Sequence, residues 1–251
     1  MGRPKHHYIV VDTETTIDGK VADIGAVIVD RKGNVKAKMA VLVRGVFDKP
    51  RKHTLFHNEE AGTLWNKASL ARRYGNYNAL LESGERQFAT ILGINSWLEK
   101  AVNAYDPILT AYNLPFDRGH CDQTDIDLSI FKRSFCLWKA AYTAWAHTKG
   151  YREFALACHA FNKPTDYGNM SYRTNAETMA RFALGQPDLE DEPHTAYEDA
   201  LLYEVPILLA LIRQGWTSKR LLGKLDAYNW RDCQVRDHFT AKRKKRKLKA
   251  A

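Results

Sequence analysis

The stretch YIVVDTETT, Tyr8–Thr16, sets four strand-forming residues ahead of two acids one residue apart, Asp12 and Glu14. Tyr, Ile and Val fit a pleated, buried surface, so Tyr8 to Val11 is predicted as a first strand, with the acids at or just past its end. Residues two apart in an extended chain point to the same face. Two carboxylates placed that way repel each other unless something positive lies between them. A hard divalent cation is the natural neutraliser, since magnesium takes oxygen ligands and keeps waters for a substrate phosphate. An ordinary solvated strand end gives the same pattern, so the rest of the chain has to decide.

Outward from this strand, ADIGAVIVDRKGNVKAKMAVLV, Ala22–Val43, offers apolar runs on either side of Arg31-Lys32-Gly33-Asn34, a hairpin turn by composition. A helix is predicted over Thr63 to Arg73, and a stronger helical period runs from Arg86 to Tyr105. A short strand follows over Ile108 to Tyr112, and then a helix starting near Pro115, because proline is tolerated in a first helical turn. RSFCLWKAAYTAW starts strand-like and continues helix-like. Thr174 to Leu184 reads as a helix. HTAYEDALLYEVPILLALI reads as another, which Pro206 should kink or divide, and Thr217 can cap a last helix, SKRLLGKLDAY. A meander followed by alternating helices and strands predicts an α/β domain on a mixed sheet flanked by helices, with its ligand crevice at strand ends.

The composition limits what such a domain can be. With 251 residues, 45% of them hydrophobic, the chain can bury one large core. No run approaches the ~20 apolar residues of a membrane helix, and MGRPKHHYIVV lacks the apolar core of a signal peptide, so no membrane partner and a cytoplasmic location are expected. The four cysteines have no CxxC spacing and read as reduced thiols; His120-Cys121 and Cys158-His159 have zinc-ligand chemistry without zinc-motif spacing. The net charge is +9, yet KRKKRKLK, Lys242–Lys249, carries seven basic residues, so the tail holds most of the excess. A basic tail suits a polyanion partner through counterion release, and equally a solvated terminus.

Two further pieces carry chemistry. NLPFD, Asn113–Asp117, places an acid in a first helical turn, where it also suits the positive helix end. HTAYED, His194–Asp199, puts a histidine in the loop before a helix and an acid on the helix itself, so that both can approach one site from different directions. Glu198 points about 100° away from Asp199 on a regular helix and is the poorer candidate. A loop histidine beside Asp188, Glu190, Asp191 and Glu192 is the bland alternative for His194.

Taken together and in this order, DTETT, NLPFD and HTAYED resemble the three exonuclease motifs of the DEDDh family, in the ribonuclease H-like superfamily, over roughly Tyr8 to Ile212. ADIGAV is similar to that family's second strand. The resemblance implies an exonuclease domain over residues 1–215; beyond it the residues themselves read as a helical extension over 216–241 and a disordered basic tail over 242–251. It implies two magnesium or manganese ions held by Asp12, Glu14, Asp117 and Asp199, with His194 taking a proton from the attacking water. Thr15 and Thr16 would line the terminal-nucleotide pocket, and Asn113 and Phe116 would contact the strand. Nucleoside 5′-monophosphates would leave the 3′ end of single-stranded DNA or of a frayed duplex. Trimming of RNA with the same residues is the first alternative, and metal-independent nucleic-acid binding without catalysis the second. Trp145, Tyr151, Phe154, Phe161, Tyr167 and Tyr172 are expected mostly in the core, while Arg51, Lys52, His53 and His57 suit either a phosphate backbone or solvent.

Overall fold

Strand β1, His7–Thr15, runs through the middle of a six-stranded mixed sheet. The computed structural model describes residues 6–16, 18–48, 77–164 and 169–235. The helix expected over Thr63 to Arg73, the basic positions Arg51, Lys52, His53 and His57, Tyr167, and the basic tail lie outside the described residues. β2, Val21–Asp30, pairs antiparallel with β1, and β3, Val35–Val43, antiparallel with β2, which is the expected hairpin. β4, Gln87–Ala89, extends the sheet parallel to β3. On the other side of β1 lie β5, Ile108–Ala111, and β6, Ser134–Cys136, both parallel to their neighbours. The order is β4-β3-β2-β1-β5-β6.

Helices cover both faces, which is why Tyr8 to Val11 reads as a continuous apolar run rather than an alternation. Ile9 and Val11, with Ala26 and Ile28, pack on α1, Ile91–Tyr105, and α2, Leu114–Gln123. Tyr8 and Val10, with Val27 and Val29, pack under the helices of the C-terminal half. Each of these fully buried aliphatic side chains contributes about 1.5–3 kcal/mol relative to its exposure. α1 starts five residues later than its period suggested. Thr90 accepts the Gly93 N–H at 3.1 Å and fixes the helix start there, while Gln87–Ala89 is recruited to the sheet.

The ambiguous segment divides as its two halves suggested: β6 turns directly into α3, Leu137–Ala141, and a π-turn over Tyr142–Ala146. α4, Lys149–Ala157, and α5, Ala176–Leu184, follow, with Trp145, Tyr151 and Tyr172 in the core. The last long helical run is α6, Ala196–Asp199, a π-turn over Ala200–Glu204, and α7, Val205–Arg213. Pro206 neither divides nor stops it. The turn just before the proline widens, with the Val205 N–H bonded to the Ala200 carbonyl, and this absorbs the donor that proline lacks.

Residues beyond 215 join the same core. The Tyr8 hydroxyl lies 2.9 Å from Ser218 Oγ, and Leu221 and Cys233 are buried in the cluster that holds Tyr8. The helix expected after Thr217, α8, spans only Ser218–Leu221, shorter than the period suggested. The four cysteines are free thiols. Among the described residues no helix is long and apolar enough to cross a membrane.

Candidate metal centre

Asp12 and Glu14 sit within β1, not beyond it, and on the face that carries Tyr8 and Val10. Their antiparallel partners are Gly25 for Asp12 and Asp23 for Glu14, and directly opposed residues share a face. The apolar half of this face is therefore core and the other half polar. Gly25 decides what lies above it. A Cβ at that position would stand 2.3 Å from the Tyr197 nitrogen and 2.4 Å from the Ala196 carbonyl carbon, so the start of α6 rests on bare β2 backbone. Gly25→Ala is expected to cost about 1–3 kcal/mol, the range for overpacking, and to lift Asp199 off Asp12. Urea unfolding measures the first effect and divalent-ion affinity the second.

Asp23 fastens α6 in place. Its Oδ2 accepts the Ala196 N–H at 2.9 Å and the Tyr77 hydroxyl at 2.9 Å, and its Oδ1 lies 3.5 Å from Arg86 Nε. The side chains of Asp23 and Arg86 are fully buried. The Arg86 guanidinium also grips both oxygens of Glu198, which is why Glu198 serves the fold and not the site. Just before α6, His194 has φ +56°, a left-handed backbone that a histidine adopts only when its surroundings impose it.

These restraints gather the expected side chains in one cleft of about 550 Å³. Asp12 and Glu14 reach it from β1, Asp117 from the first turn of α2, His194 from the loop and Asp199 from α6. One ligand atom each of Glu14, His194 and Asp199 lies within 4.8 Å of the other two, a spacing that suits a shared cation. The Thr13 hydroxyl donates to Asp117 Oδ1 at 2.8 Å, so β1 orients the acid on α2 as well as its own pair. Asn113 and Phe116 also line the cleft; the Asn113 side chain makes no cap bond to its helix. Thr15 and Thr16 do not line it. Both are buried, and the Thr16 hydroxyl is tied to the Lys20 backbone, donating at 3.1 Å and accepting at 3.0 Å.

Comparison with known proteins adds nothing to this geometry. No family model, curated protein or solved structure matches the chain.

Two acids of the cleft escaped the sequence reading. Glu192 belongs to the acidic run before His194, outside the three motifs, and Glu204 stands five residues after Asp199, which on a regular α-helix faces elsewhere. The π-turn changes that, and its one sequence signal was Pro206. Among the described residues the cleft lining thus holds six acids, Asp12, Glu14, Asp117, Glu192, Asp199 and Glu204, and neither lysine nor arginine.

Crowding and burial raise the carboxyl pKa values here. Burial pushes Asp12 well above the usual carboxylate range, and the charges of Glu204, Asp117, Asp199 and Glu14 push it further. Burial lifts Asp117 to about 7 against the pull of the Thr13 hydrogen bond, and lifts Glu192 to about 8. A raised folded pKa means the native state holds protons that the unfolded chain has released, so stability falls as pH rises through the folded value. For chelator-treated protein the midpoint of thermal unfolding is therefore expected to drop between about pH 4 and pH 7. A divalent cation added at pH 8 should restore it by roughly 5–10 °C. A midpoint that rises over that range, or ignores the ion, contradicts a metal-binding cluster.

Proposed function

We propose that this chain is a metal-dependent 3′-to-5′ exonuclease with a ribonuclease H-like fold, acting on single-stranded DNA or frayed 3′ ends. The sheet order, with antiparallel β2 between β1 and β3 and parallel β5 and β6 beyond β1, is consistent with that fold. The observation that carries the reading is the convergence of Asp12, Glu14, Asp117, His194 and Asp199, from four separate parts of the chain, in one cleft. The donor set fits the ions the reaction needs: hard oxygens predominate, and among the described residues no lysine or arginine of the lining neutralises them.

Asp12, Glu14, Asp117 and Asp199 hold two magnesium or manganese ions. Bound ions of this kind make water a nucleophile near neutral pH and stabilise the oxygens of an in-line displacement. His194 takes the proton from the attacking water, a task for a side chain that titrates near neutrality; its imposed backbone conformation keeps the ring at the cleft. Phe116, 41% exposed, offers a face on which a base can stack without sequence preference. The Asn113 amide, unused as a helix cap, can hydrogen-bond the strand.

Purified protein with magnesium is expected to shorten a 5′-labelled oligonucleotide from its 3′ end and to release nucleoside 5′-monophosphates. The ratio of kcat/KM for matched DNA and RNA strands assigns the sugar preference. Degradation that persists in Asp12→Ala, or none in the wild-type protein, overturns the proposal.

A further inference from the structure

We infer that Glu204 is a fifth carboxylate of the ion-binding group in the cleft. The inference rests on the metal site of the proposed function and extends it to a residue that the family's motifs do not include.

Three independent features single out Glu204 from an ordinary buried acid. It is only 2% exposed, and its Oε2 makes no hydrogen bond among the described residues although the residue lines the cleft. Most buried polar atoms kept for structure find a partner; here the Tyr112 backbone amide supports the carboxyl and leaves Oε2 without one. Its backbone places it deliberately. Glu204 closes the π-turn that begins directly after Asp199, and the widened turn carries residue 204 back toward the side that Asp199 occupies. Such turns inside α-helices concentrate at functional sites. Last, the π-turn that carries Glu204 packs against β1, the strand that bears Asp12 and Glu14. A carboxylate buried in a cleft of acids opposes folding unless a proton or a cation compensates it. A divalent ion held in the cleft meets that need.

Mn2+ titration of chelator-stripped protein, followed by calorimetry and by the electron paramagnetic resonance signal of free Mn2+, tests this without reference to turnover. Glu204→Gln keeps the shape and removes the charge. The tightest Mn2+ site should weaken at least tenfold, as changes of residues supporting a metal commonly do, while the metal-free variant melts no lower than the wild type. Affinity within twofold of wild type overturns the inference. Should Glu204→Gln not fold, Glu204→Asp decides: weakening of fivefold or more supports it, and unchanged affinity removes it. Asp12→Asn separates the two claims. Mn2+ binding that is lost in Asp12→Asn and weakened in Glu204→Gln, in a protein that degrades no nucleic acid, leaves Glu204 in place and the nuclease reading fallen. Degradation with an unchanged Glu204→Gln affinity does the reverse, and a wild type that binds no Mn2+ overturns both.

Discussion

Asp199→Asn is expected to slow 3′-end hydrolysis by about a hundred- to a thousandfold, the range for removing one group that stabilises transition-state charge, without lowering the melting temperature. The reason lies in what surrounds it. Asp199 is 6% exposed in a cleft shared with five other acids and, among the described residues, no lysine or arginine, so the neutral amide relieves repulsion in the metal-free protein and removes a ligand from the loaded one. Glu198→Gln, one residue earlier, should behave oppositely. Its carboxylate pairs with the buried Arg86, so the change costs stability while leaving the cleft its acids. His194→Asn completes the comparison, since asparagine tolerates the left-handed backbone that residue 194 adopts but cannot serve as the base. Single-turnover rates beside urea unfolding curves for the three variants separate chemistry from fold. If Asp199→Asn and Glu198→Gln lose activity equally at equal stability, the adjacent acids do not divide as their partners indicate.

That division shows what the sequence made legible. The period-two rule put Asp12 and Glu14 on one face, and both lie there. The loop-then-helix reading of HTAYED separated His194 from Asp199 and predicted their approach from different directions. Glu198 was set aside on helical angle alone, and the structure gives it a partner on the opposite side. What remained hidden depended on backbone that departs from regular geometry. A π-turn redirects Glu204, and no residue count on an ideal helix finds it. Asp23 and Gly25 lay inside ADIGAV, where they read as strand; their work is to receive an element 170 residues later in the chain, as the |i−j| of 173 between Asp23 and Ala196 shows. Thr16, expected at the nucleotide, is tied instead to Lys20 in the turn that leads to β2, and Thr15 is buried at the end of β1. Local pattern foretold β1, β2, β3 and β5, whereas β4 lay inside a predicted helix and long-range contacts set the exact approach of the elements that carry the acids.

Arg86→Met is the change expected to cost most stability, about 3–5 kcal/mol, because it leaves Asp23 charged and buried with its cation removed. In a chain of this size that corresponds to a fall of roughly 6–20 °C in the unfolding midpoint. The damage should not stay local. Asp23 holds the Ala196 N–H at the start of α6, and Arg86 holds Glu198 within it, so the helix bearing Asp199 loses two of its restraints at once. The imposed conformation of His194 should relax with them, and divalent-ion affinity should fall although Arg86 is absent from the cleft lining. A second substitution distinguishes charge from packing. Asparagine at position 23 still offers a carbonyl oxygen to Ala196 and carries no charge, so Arg86→Met with Asp23→Asn should recover about half of the loss, and with it the ion affinity. A double variant as unstable as Arg86→Met alone would mean that the long arginine side chain matters for the space it fills between β4 and α6. The buried charge pair would then be incidental to holding the metal centre together.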